Sequence, residues 1–247
     1  MLGVHNVLSQ GFAASPLPTI HHNGYGGVVT RDAYLNTGSA IYEESFRIIR
    51  AETNLSRFPD DVARAVVRMV HAAGDPSIAD EVGFTPGVVA AANAALRRGA
   101  PILCDASMVA TGIISSRLPA NNDVVCLIKD PQLAVMAKDR GITKTMAAVD
   151  LWLPHLDGAV VAIGNAPTAL FRLLEVVAES GVRPAAVIGI PVGFVGAAES
   201  KRALADSELG LDYLVVHGRR GGSAMTVAAV NAIASTDELT NTSRQDS

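Results

Sequence analysis

Aromatic residues are scarce in this chain, 4% of 247 residues, and cysteine is scarcer still, with only two. With so few rings and so much Ala, Val and Gly, the composition suits helices packed closely on a buried parallel sheet rather than a sandwich. Cys104 and Cys126 lie in apolar surroundings without the CxxC pairing of a zinc site, and read as buried, reduced thiols. A surplus of positive charge is missing too. The net charge is −4 and no dense Lys/Arg block occurs, which excludes the bulk electrostatic footprint of a nucleic-acid binder. An anionic ligand would need cations placed locally. No apolar run reaches the roughly 18 residues of a membrane span. The N-terminus lacks the charged start and apolar run of a signal peptide, so a cytoplasmic protein with no membrane contact is expected. No Walker-type phosphate loop, dinucleotide glycine fingerprint, nucleophile elbow or HExxH is present, which disfavours nucleotide cofactors and hydrolysis.

What is present is an alternation. At 49% hydrophobic the chain can bury a substantial core, and one α/β domain is the simplest organisation. Residues 1–33 have no sustained period and read as an N-terminal arm, whose adjacent His21 and His22 read as solvated rather than metal-binding. Residues 235–247 form a polar tail, which leaves 34–234 as the domain. Helical spacing of Ile41, Tyr42, Phe46, Ile48 and Ile49 marks 39–52, with Glu43 and Arg47 as an i,i+4 pair. Phe58-Pro59-Asp60-Asp61 opens a second helix over 59–72, which Gly74 and Pro76 end, and a third covers 86–98. Short apolar runs at 102–104, 124–128, 160–163, 186–190 and 214–216 then alternate with helical stretches at 131–140, 143–153, 167–180, 197–206 and 223–234. That alternation implies right-handed crossovers and a parallel sheet.

In an open parallel sheet the ligand crevice lies beyond the carboxyl ends of the strands. Asp105, Lys129, Gly164-Asn165, Pro191–Gly193 and His217-Gly218 therefore come first as site candidates. Asn165, just before Pro167, can equally cap a helix. The run His217 to Ser223 offers backbone N–H groups and the guanidiniums of Arg219 and Arg220 to a carboxylate or phosphate. On the second helix Arg64, Arg68 and His71 share a face nearly opposite the stripe of Val62, Val66, Met69 and Val70. A solvated face has that spacing too. His71 differs in lying in the last turn, where the helix macrodipole favours imidazolium while Arg68 opposes it. An imidazole that titrates near neutrality suits general acid and base work.

Quoted together, AIYEESFRIIRAE (40–52), RMVHAAGD (68–75), GAPILCDASMVATG (99–112), AIGNAPTALFRLLE (162–175), PVGFVGAAESK (191–201) and GRRGGSAM (218–225) resemble the precorrin-8X methylmutase family over about 34–234. The resemblance implies a three-layer α/β/α flavodoxin-like domain with a five-stranded parallel sheet of order 2-1-3-4-5 plus N-terminal helices. It implies a homodimer with shared active sites. It also implies an isomerase of cobalamin biosynthesis that needs no added cofactor. The reaction would be a 1,5-sigmatropic shift of a methyl group from C11 to C12 of precorrin-8X, giving hydrogenobyrinate, which passes to the next pathway enzyme.

By the same resemblance His71, the histidine of RMVHAAGD, is the catalytic proton donor, and Tyr42, Ser45 and Arg68 match substrate contacts. Thr111, Lys144 and Arg219, with the strand-end residues Asp105 and Asn165, complete the expected substrate-binding set, and no metal ligand is expected. Thr111 and Lys144 stand where the family pattern has histidine and arginine. Lysine keeps the charge but loses the bidentate fork. Three alternatives stay open on the residues alone: a non-catalytic corrinoid-binding carrier, a cobalt-precorrin-8 methylmutase of the anaerobic route, and an enzyme acting on another anion through the 218–222 turn.

Overall fold

The computed structural model describes residues 34–235. The N-terminal arm, with His21 and His22, and residues 236–247 of the tail lie outside the described residues. Two helices come first, α1 (Gly38–Glu52) and α2 (Asp60–Ala73). In α1, Phe46 and Ile49 are buried, and Arg47 pairs with Glu44 at i,i+3, not with Glu43 as the spacing suggested. Helix α2 starts behind Pro59 with Asp60 and Asp61 in its first turn, where the helix dipole favours anions. Its stripe of Val62, Val66, Met69 and Val70 is buried, each side chain contributing about 1.5–3 kcal/mol of apolar transfer. Gly74, at φ 65°, ends the helix in the left-handed region, its N–H bonded to the Val70 carbonyl.

A 3₁₀ turn (Pro76–Glu81) leads into β1 (Val82–Phe84), α3 (Val88–Arg97), β2 (Ile102–Cys104), α4 (Ser107–Gly112) and β3 (Val124–Val125). Then follow α5 (Gln132–Arg140), α6 (Lys144–Asp150), β4 (Val160–Ile163), α7 (Pro167–Ser180), β5 (Ala186–Gly189), α8 (Ala197–Ala205), β6 (Tyr213–Val216) and α9 (Ser223–Ala234). The helix expected over 143–153 ends at Asp150, and a separate 3₁₀ turn (Leu153–His155) contains Pro154, which has no N–H to continue the ladder.

The sheet corrects the expectation of five parallel strands. It has six, in the order β1-β6-β5-β4-β2-β3. Strands β3, β2, β4, β5 and β6 run parallel to their neighbours, while β1 lies antiparallel on β6, Val82 opposite Val216 and Phe84 opposite Leu214. Successive strand residues alternate between two cores. Ile102, Cys104, Val160, Ala162, Ile188, Leu214 and Val216 face α1, α2, α3 and α9. Leu103, Val161, Ile163, Val187 and Val215 face α7 and α8. Both faces are thus covered, which is why the strands read as continuous apolar runs rather than as polar alternations. Among the described residues no helix is long and apolar enough to cross a membrane.

Candidate active site

The carboxyl ends of β5 and β6 open on a cavity of about 500 Å3. The end of α2 supplies one wall with Ala72 and Ala73, and Asp75 and Ile78 of the turn that follows continue it. The opposite wall is Val192, Gly193 and Phe194 after β5, Arg219 to Gly221 after β6, and Ala224 and Met225 of α9. A second cavity of about 230 Å3 lies on the other side of the same helix end, lined by Ser45, Ile49, Glu52, Val70, His71, Gly74 and Pro76. The two hollows flank the residues immediately around His71.

His71 sits in the last turn of α2 as a partly buried side chain. Its ring lies against Tyr42, with centroids 5.3 Å apart, and edge-on to Phe46 at 5.4 Å. The Arg68 guanidinium, one turn earlier, stands 5.2 Å from the Phe46 ring centroid and 6.0 Å from that of Tyr42. Two rings of α1 therefore place both the imidazole and the cation beside it. Burial is the main influence that pushes the His71 pKa below its ordinary value, and the Arg68 charge adds to it. The macrodipole argument favoured imidazolium; in the free chain desolvation and like charge outweigh it. Sequence reasoning placed Phe46 only in the apolar stripe and missed that it holds His71 and Arg68.

Asp105, after β2, does not face the crevice as a substrate contact. It is 2% exposed, and its carboxylate accepts the backbone N–H groups of Gly164, Asn165 and Ala166 at 2.7–2.9 Å. Burial raises its pKa, and the three N–H donors pull against that rise. The residue is a strut that shapes the turn between β4 and α7. Asn165 is corrected as a cap too: Ala166 occupies the cap position of α7 with no side-chain cap bond, and the Asn165 side chain is exposed.

Thr111 on α4 and Lys144 at the start of α6 are exposed and line neither hollow. Beside Lys144 the hydroxyls of Thr143, Thr145 and Thr168 meet within 3.0–3.1 Å, which joins α6 to the first turn of α7. Lys129, another strand-end candidate, is exposed, and the His217 N–H is engaged with the Glu81 carbonyl at 2.7 Å. The structure brings together Tyr42, Ser45, Arg68 and His71 on one side, and Arg219 across the larger cavity. It leaves Thr111, Lys144 and Asn165 outside both hollows.

The two arginines of GRRGG divide. Arg220 pairs with Asp75 at 2.8 Å and reaches Glu81 at 3.7 Å. Arg219 is exposed, its guanidinium 5.3 Å from the centroid of the Phe194 ring. Phe194 itself is 84% exposed at the cavity wall. The reading of Arg220 as a free substrate cation is therefore corrected to that of a tie between loop 218–222 and the turn after α2.

Residues 40–236 match the family model for precorrin-8X methylmutase. The chain belongs to the precorrin-8X methylmutase family. It is 54% identical over 201 residues to a protein of that name from a Sinorhizobium species, covering 81% of this chain and 96% of the relative. It is 36% identical to a cobalt-precorrin-8 methylmutase of Priestia megaterium, covering 78% of this chain and 85% of that one. Among solved structures, the precorrin-8X methylmutase of Thermus thermophilus superposes with a TM-score of 0.73 at 42% identity, covering 80% of this chain and 95% of that chain. As a member of this family the chain is an isomerase of the methylmutase type.

Proposed function

We propose that the chain moves a methyl group from C11 to C12 of precorrin-8X, an intramolecular 1,5-sigmatropic shift giving hydrogenobyrinate, with His71 as the proton donor. The observation that carries the reading is the setting of His71. It packs against two rings, one turn from Arg68, at a helix end flanked by two hollows, in a chain that matches the family model from 40 to 236. A sigmatropic shift asks the protein to position a macrocycle and to move a proton, not to supply a nucleophile. A proton on the conjugated ring makes its system more electron-poor and lowers the barrier to methyl migration.

The depressed pKa of His71 in the free chain supports a particular order of events. A corrin precursor carries acetate and propionate carboxylates. A carboxylate laid on Arg68 cancels the like charge and favours imidazolium, so substrate binding itself arms the donor. Tyr42 and Ser45, one turn apart on α1, contact the ring periphery, and Arg219 takes a carboxylate across the larger cavity. Lys144 and Thr111, outside the hollows, bind further carboxylates at the carboxyl edge of the flavodoxin-like sheet. The greater identity to the relative named for precorrin-8X than to the one named for cobalt-precorrin-8 supports a metal-free substrate. The exposed Phe194 in the wall of the larger hollow, with the exposed Val195 next to it in the chain, supports a homodimer that completes the site.

The test is incubation of precorrin-8X with the wild type and with His71→Ala, followed by absorbance. The spectrum changes to that of the product with the wild type only. Equal turnover by both proteins sinks the role of His71. Tight product binding without turnover by the wild type returns the carrier reading.

A further inference from the structure

One buried charge is not used by the reaction described above. Lys201, on α8, is 0% exposed, and its Nζ donates to the Arg220 carbonyl at 2.6 Å. A lysine with no solvent access is uncommon, because its ammonium must give up hydration. Burial pushes its pKa down to about 8, against the opposing pull of Glu81. Protonated or neutral, the amine still donates.

The bond falls on a loop held at several of its backbone groups. The Gly193 N–H donates to the Arg219 carbonyl at 3.2 Å, and the Gly222 N–H to the Ile190 carbonyl at 2.8 Å. A Cβ on Gly221 would meet the carbonyl oxygens of Ile190 and Pro191 at 2.5 Å, so the loop crosses the end of β5 as closely as a backbone can. With both carbonyls fixed from below, the side chains diverge. Arg220 turns to Asp75 and to the Ser77 hydroxyl at 2.7 Å, while Arg219 is left over Phe194 at the cavity wall.

We infer that Lys201 is a positioning residue for the substrate cation Arg219, fixing the 219–220 backbone from beneath so that the Arg219 guanidinium stands at the cavity while Arg220 locks the loop to the turn that follows His71. The inference rests on the proposed function. It adds a residue that touches no substrate and that the sequence marks only as part of the 197–206 helix.

The test compares Lys201→Met, Arg219→Ala and the double variant in the purified enzyme with precorrin-8X. Methionine keeps most of the length and the apolar stem and removes the amine. The KM of Lys201→Met rises about tenfold while kcat falls less than about twofold, because a carboxylate contact away from the reacting carbons binds ground and transition states alike. Arg219→Ala raises KM by a similar factor. The double variant is no worse than about the larger single effect, because both substitutions remove one interaction. A KM for Lys201→Met within twofold of the wild type, or effects that multiply in the double variant, overturns the inference. Absence of turnover by the wild type refutes the proposed function instead. Should Lys201→Met not fold, the slowest-exchanging lysine side-chain 15N resonance of the wild type provides the readout. It shifts when hydrogenobyrinate binds the wild type and not when it binds Arg219→Ala. An unchanged resonance in the wild type overturns the inference.

Discussion

The walls of the two hollows are built on opposite principles. The His71 wall is ring, burial and like charge: Tyr42 and Phe46 pack against the imidazole, Arg68 stands beside it, and the result is a histidine whose pKa is held below its ordinary value. The 218–222 wall is backbone and opposite charge: Lys201 under a carbonyl, Arg220 on Asp75 and Glu81, and a glycine where no side chain fits. The first wall keeps a titratable group poised and reversible. The second keeps a permanent charge in place. The proposed reaction, which asks the site to donate one proton and hold a polyanion, needs both.

Breaking the first wall has the largest expected effect. His71→Ala lowers kcat by about 10²–10⁴-fold in a precorrin-8X turnover assay, the usual range for loss of a general acid. The product still binds when titrated by absorbance. Next comes Asp105→Ala, which strands three backbone N–H groups behind the crevice. Urea unfolding reads a loss of about 3 kcal/mol, and Asp105→Asn, which keeps an acceptor, loses less. On the second wall Arg219→Ala raises KM about tenfold, or about 1.4 kcal/mol. Arg220→Ala mainly costs stability. Its pair with Asp75 is more than a third exposed on both sides, so solvent screening holds the loss to about 1 kcal/mol or less in the same unfolding assay.

Much of this was legible in the sequence. The five parallel strands stand out because a sheet covered on both faces leaves short apolar runs between turn residues. Helix α2 is legible from its stripe, its acidic start and Gly74. Strand β1 is not, because Val82-Gly83-Phe84 is three residues long with glycine in the middle, and only its antiparallel pairing with β6, far along the chain, makes it a strand. Helix α4, six residues long, is too short to show a period.

The site divides the same way. His71 and Arg68 share a helix, so spacing puts them on one face, and the family resemblance marks that face as a site. The role of Asp105 depends on N–H groups some sixty residues away, and that of Lys201 on a carbonyl nineteen residues on. Periodicity carries no information about such pairings. The neighbours Arg219 and Arg220 look alike in sequence, and only the position of Asp75 separates them.

The charge of His71 is where the account is most exposed, and its pH dependence follows from the sign. A donor works when protonated, so kcat/KM, which reports the free enzyme, falls as pH rises through the depressed His71 pKa. The inflection in kcat, which reports the complex, lies at higher pH if bound carboxylates neutralise Arg68. The most direct measurement is NMR titration of the His71 imidazole in the free protein and with hydrogenobyrinate bound. The expected result is a pKa below that of an ordinary histidine in the free protein and a clear rise on binding. A His71 that stays neutral in the complex throughout the pH range of turnover would contradict it.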